Sequence, residues 1–225
     1  GGGNEPGFRD RRRPRRRRRD LSPRVRWPLS VLVLGAAIVA AFVALGQYAP
    51  EANGALFDRF AIVPARLAGE SPSVSALTPL LGHVFFHYGV LHLLMNALAF
   101  MQAAPFVARR MGDLRFLILF FASAIGGAAG FVLINPASQV GMVGASGAIC
   151  GVFGAYFLSV RPTPRAALAD PQVRNAMLSF LAINVVLMAF LPLPIAWEAH
   201  LGGFIAGALC YPLLAPRRRI TGPWS

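Results

Sequence analysis

The stretch Val143–Tyr156, VGASGAICGVFGAY, decides how the chain is read. A serine, Ser146, sits between small residues at the mouth of an apolar run that ends at Arg161. Residues 145–160 as a helix rise about 24 Å at 1.5 Å per residue. A bilayer core is about 30 Å thick. With Arg161 held at one surface, the Ser146 end stops several Å below the other. The connection that meets it, NPASQVGMVG (residues 135–144), must then dip into the membrane. Non-helical backbone at that depth is tolerated only when buried in protein or lining a wet cavity. A water-filled pocket around Ser146 follows.

The rest of the chain fits this setting. Of 225 residues, 56% are hydrophobic and only 14% charged, against about 25% charged in a soluble domain. Long stretches carry no charge, which points to a membrane protein. Six segments suit helical spans of about 20 apolar residues: 27–48, 88–107, 114–134, 145–160, 175–192 and 195–215. The mixed connection 49–87 suggests short interfacial helices, and Leu191–Pro194 (LPLP) separates the last two spans.

The basic charge is all arginine, and eleven of the 22 arginines precede Trp27. Such a run can bind nucleic acid, and its composition suggests disorder. Directly before an apolar segment it reads better as a topology signal held in the cytoplasm, with anionic lipid headgroups as a natural contact. With the N-terminus inside, 20 of the 22 arginines fall on the cytoplasmic side, and only Arg59 and Arg66 fall outside. The expectation is an all-α membrane protein: a six-span bundle with both termini cytoplasmic. Residues 1–26 form a disordered basic tail, 27–216 the membrane domain and 217–225 a cytoplasmic tail. No small-residue cleavage site follows Trp27–Tyr48, so no cleavable signal is expected. The chain opens on glycine, so a missing natural start is expected too. Cys150 and Cys210 lie in apolar segments as buried thiols.

Polar groups inside spans are costly and suggest function. Ser146 opens the fourth span and His200 lies about one and a half turns into the sixth. His92 and Asn96, four apart on one face of the second, lie near its outer end, preceded by His83 and His87. Each has a bland reading. A lone serine bonds back to its own helix, and Gly147, Gly151 and Gly154, like Gly203 and Gly207, form small-residue packing faces. Together, those faces can set His200 beside Ser146. A serine needs a base, and histidine is the usual one. Glu198, two residues from His200, faces away from it on a helix, so the reading is a dyad. The Ser146 N–H at a helix N-terminus, Asn96 and His92 are candidate oxyanion donors. The histidines before Asn96 lack a carboxylate, so no metal site is expected.

These residues resemble the rhomboid family of intramembrane serine proteases. The resemblance rests on Gly144-Ala145-Ser146-Gly147-Ala148, on AHLGGFIAG around His200, and on His83, His87, His92 and Asn96 in order. It covers roughly residues 55–215. It implies Ser146 as nucleophile, His200 as general base, and Asn96, His92 and the Ser146 amide as oxyanion stabilisers. Gly144, Gly147, Gly203, Gly207 and His87 would support them, with no metal or cofactor. The implied substrates are transmembrane proteins cut near the extracytoplasmic side, within the lipid bilayer and with no nucleic-acid partner. The fifth span and the Leu191–Pro194 loop would form the gate. The family's usual Trp-Arg in the first long loop and a glutamate after the second span are missing, with Ala108 before RRMG. Cys150 stands where some members have tyrosine, and Glu198 where many have glycine. The competing reading is a catalytically inactive relative that binds membrane clients. A small transporter lacks the midplane charge pairs and internal repeat it would need. The arginine, alanine and glycine bias suggests a GC-rich bacterium and its inner membrane; substrate and oligomeric state stay open.

Overall fold

The computed structural model describes Gly2 and residues 27–46, 54–69, 74–190 and 196–216. The arginine tail, the Leu191–Pro194 gate and the C-terminal tail lie outside the described residues. The described chain is helical, with one isolated antiparallel bridge between Ile62 and Met142.

The elements are α1 (Leu29–Ala44), α2 (Gly54–Phe60), α3 (Pro64–Gly69), α4 (Val74–Gly82) and a 3-10 turn (His83–Phe85). They continue with α5 (Val90–Met111), α6 (Asp113–Ile134), α7 (Ser146–Ser159), α8 (Pro164–Ala169), α9 (Pro171–Phe190) and α10 (Trp197–Leu214). Helices α1, α5, α6, α7, α9 and α10 overlap the six expected segments, their ends differing by a few residues. Two of them, α5 and α6, are long and apolar enough to cross a membrane, and α1 and α7 are shorter apolar helices. The 49–87 connection contains short helices, as its mixed composition suggested.

Local chemistry sets several boundaries. Between α5 and α6 the chain turns through Gly112, at φ +86°, a region that glycine enters without steric cost. Its N–H bonds to Ala108 and its carbonyl accepts from Phe116. Thr163 caps α8, its side chain accepting from the Ala166 N–H, with proline at the first helical position. Asp170 caps α9 in the same way, accepting from the Gln172 N–H at 2.8 Å, with Pro171 following. At the start of α1, Asp113 of α6 accepts from both the Ser30 N–H (2.9 Å) and the Ser30 hydroxyl (2.5 Å).

Helix α7 is the central element. Apolar and small all round, it buries residues on every face and touches α5, α6, α8, α9 and α10. A helix that is apolar on all sides belongs inside a bundle. Its packing against α10 and α6 depends on glycine. A Cβ on Gly203 would land on the Gly147 carbonyl, and one on Gly207 on the Gly151 carbonyl. Between α6 and α10, Gly126 and Gly130 lie against Gly202 in the same way. Lipid tails are as apolar as leucine, so helices associate in a bilayer by close contact. These glycines permit it.

Candidate active site

Ser146 is the first residue of α7, after Ala145 at the cap position. The N–H groups of a helix's first turn have no partner within the helix, so the Ser146 N–H is free to donate. Fourteen residues give α7 a length of about 21 Å, shorter than the bilayer core.

The loop of residues 135–145 delivers Ser146, and its backbone groups are matched by partners from elsewhere. Met142 exchanges both N–H···O bonds with Ile62 at 3.0 Å, and the Ala65 N–H donates to the Ser138 carbonyl. The Tyr88 hydroxyl donates to the Gly141 carbonyl at 3.3 Å. The Gly144 N–H donates to the His83 carbonyl at 2.8 Å. At the loop's start, the Asn135 side-chain N–H donates to Glu198 at 2.9 Å. Glu198 is thus engaged with the end of α6 and directed away from His200, as its helical spacing required.

Gly144 is the tight point. Its φ is +118°, and a Cβ there would sit 2.8 Å from His92 Cε1 and 2.9 Å from His92 Nε2. The His92 ring therefore reaches over the backbone just before Ser146. The Tyr88 N–H donates to His92 Nδ1 at 3.3 Å. An accepting Nδ1 carries no proton, so the hydrogen is on Nε2, which with Cε1 forms the edge of the ring turned toward Gly144. His87 is buried and meets His92 edge to face at 5.0 Å. Further back, His83 Nδ1 bonds to the Pro79 carbonyl.

Asn96, one turn beyond His92, is buried. One of its side-chain N–H groups donates to the His92 carbonyl at 2.9 Å, leaving a second hydrogen available. Its Oδ1 is buried with no partner among the described residues.

His200 is the fourth residue of α10, so it stands in the first turn rather than one and a half turns in. Its Nδ1 lies 3.0 Å from Asn184 Oδ1 on α9. Ser146, His200, His92, Asn96 and Asn184 all line one cavity of about 410 Å³, within the size range of small-ligand sites. Apolar side chains of Met95, Ile149, Phe153 and Phe180 complete its walls. Ser146 and His200 share this cavity without a direct hydrogen bond between them. Such contacts are often long before substrate arrives. Among the described residues no three His, Cys, Asp or Glu side chains converge as a metal site.

Two residues of this arrangement escaped the sequence reading. Asn184 obeys the same rule that singled out Asn96, a polar group in an apolar helix, but nothing local told which way it faced. Tyr88 gave no signal beyond being an aromatic residue next to His87.

A family model described as the rhomboid domain matches residues 74–217. The chain is 37% identical over 138 residues to the putative rhomboid protease YdcA of Bacillus subtilis, covering 60% of this chain and 65% of that one. Similarity also extends to the rhomboid protease GluP of Bacillus subtilis, at 29% over 135 residues (57% and 24% covered). The rhomboid protease GlpG of Yersinia enterocolitica matches at 30% over 129 residues (56% and 44% covered). The chain spans less than two thirds of the length of each of these relatives.

Proposed function

The chain belongs to the rhomboid family, and we propose that it is an intramembrane serine endopeptidase working through a Ser146–His200 dyad. The observation that carries this reading is the shared cavity. A serine at a free helix N-terminus and a histidine with an oriented ring meet there with two further hydrogen-bond donors.

In the proposed reaction, Ser146 Oγ attacks the carbonyl carbon of a substrate peptide bond and His200 Nε2 takes the hydroxyl proton. The developing oxyanion is met by the Ser146 N–H, the free side-chain N–H of Asn96 and His92 Nε2–H. Donors preorganised in a site shielded from bulk water are worth more than the same donors in water. His200 then gives its proton to the departing amine nitrogen, leaving an acyl group on Ser146. Water, deprotonated by His200, releases that acyl group and restores the hydroxyl. No metal or cofactor is required by this sequence of steps.

In this reading the chain makes six spans with both termini in the cytoplasm and its cavity opens toward the extracytoplasmic side; the distribution of arginine supports that orientation. Substrates would be transmembrane proteins whose helices unwind to expose a peptide bond, since a helical carbonyl is already hydrogen-bonded. The setting proposed is a bacterial inner membrane. A client-binding relative without catalysis is the competing reading, and it gives no reason for Ser146, His200 and Asn96 to share a cavity.

The test is cleavage of a single-span reporter by the purified chain in detergent. Wild-type protein is expected to cut it, and Ser146→Ala and His200→Ala proteins to be inactive. Undiminished cleavage by the Ser146→Ala protein would refute the assignment.

A further inference from the structure

We infer that Asn184 of α9 is a positioning residue for His200, holding the imidazole in the tautomer that the proposed hydrolysis uses; the inference rests on the protease reading above. The amide orientation is fixed independently of the histidine. Asn184 Nδ2 donates to the Phe180 carbonyl at 2.8 Å, which puts Oδ1 on the His200 side. An amide oxygen can only accept, so His200 Nδ1 carries the hydrogen and its Nε2 keeps a lone pair. That lone pair is what a general base needs.

Asn184 has a bland reading as an amide that back-bonds to its own helix. That accounts for the nitrogen and leaves the oxygen unexplained. The oxygen reaches a ring on another helix, inside the cavity that also holds Ser146. Cys150, one turn after Ser146, adds a weak thiol donor to the same oxygen. Its Sγ lies 4.0 Å from the same Oδ1. Glu198, the acid on the same helix as His200, is tied to Asn135, leaving Asn184 as the group that fixes Nδ1. The hydrogen bond joins α9 to α10, so α9 must be seated against α10 when proton transfer occurs.

The experiment uses full-length chain in detergent with ¹⁵N-labelled histidine. Four histidines allow His200 to be assigned by its loss in the His200→Ala protein. The expected state is the Nδ1–H tautomer at His200 in wild type, giving way to a mixture or to Nε2–H in the Asn184→Leu protein, whose side chain is of similar size. In reporter cleavage, Asn184→Leu should lower kcat about tenfold, the scale of one lost hydrogen bond, with KM unchanged. Asn184→Asp, which keeps an acceptor, should recover much of that loss. An unaltered tautomer or a wild-type kcat in the Asn184→Leu protein overturns the inference. Should that protein not fold, an Nε2–H tautomer in the Asn184→Asp protein overturns it instead. Wild-type protein without Ser146-dependent turnover would sink the protease reading, while the tautomer measurement would still decide the role of Asn184.

Discussion

Gly144→Ala is the sharpest single perturbation the structure offers, because two separable penalties meet at one atom. The backbone φ of +118° is a region that L-residues rarely adopt, with a cost of roughly 1–3 kcal/mol. The new Cβ would also lie 2.8 Å from His92 Cε1. Carbon atoms rest at about 3.5–4.0 Å, so the overlap is roughly 0.7 Å or more. Overpacking of that kind costs about 1–3 kcal/mol. The sum is about 2–6 kcal/mol, measured as loss of unfolding free energy in mixed micelles. A double-mutant cycle separates the two parts. In a His92→Ala background the overlap is gone, and only the backbone share should survive. The coupling between positions 144 and 92 is therefore expected at about 1–3 kcal/mol. Gly141→Ala is the control. Its Cβ would crowd Ala61, Phe57 and Val63 at 2.9–3.0 Å without touching His92, so it should show no such coupling. An equal Gly144→Ala penalty in both backgrounds would mean that His92 does not pack over this backbone, and the oxyanion role proposed for its Nε2–H would fall with it.

Two further outcomes are expected. Gly207→Val should lower the melting temperature in detergent and reduce turnover, because its Cβ meets the Gly151 carbonyl and forces α7 from α10. Gly35→Ala, whose nearest neighbour atom is 3.9 Å away, should leave both near wild type; the same response to both changes would argue against the glycine interface. At Asp170, hydrogen bonds from Arg161 and from the Gln172 N–H hold the carboxyl below the usual carboxylate range. A lowered folded-state pKa means that the folded chain binds fewer protons than the unfolded one. Its stabilising effect is complete above the unfolded value of about 3.9 and disappears as pH falls through the lower folded value. Melting measured from neutral to acid pH should show a steeper loss for wild type than for Asp170→Asn, and parallel curves would contradict the pairing.

Much of this architecture was legible in the sequence for physical reasons that act locally. Lipid demands uninterrupted apolar helices, so their approximate limits follow from composition alone, as with α6 and α7. Ser146, His92, Asn96 and His200 stood out because an apolar helix makes any polar group conspicuous. The glycines facing each other across α7 and α10 were visible as a spacing, although which glycine meets which was not. Direction was the harder quantity. Asn184 and Asn96 look alike in sequence and both donate back to their own helix, yet only Asn184 also reaches across to a ring on another helix. The turn that His200 occupies depended on where α10 begins, and Trp197 rather than residue 195 is its first helical residue. Pairing between distant backbone segments leaves no local trace, so the bond of Ile62 to Met142 was beyond reach of periodicity or motif.

That unseen pairing matters more than its size suggests. In the proposed membrane setting a short α7 sets Ser146 below the surface, and the polar backbone of the loop leading to it must then find partners. Each buried N–H or C=O left unpaired costs about 1–3 kcal/mol, and non-helical backbone in a membrane is tolerated only when protein or a wet cavity satisfies it. The loop meets this with bonds to Ile62, Ala65, His83 and Tyr88. Two of those partners, Ile62 and Ala65, precede residue 74, where the family match begins. A chain beginning at 74 would keep every side chain of the proposed dyad and oxyanion site, yet leave Met142 without both of its backbone bonds. The segment before α4 is therefore part of what shapes the site. It ties down the loop at Ser138 and Met142, two residues before Gly144, whose own N–H is held by the His83 carbonyl.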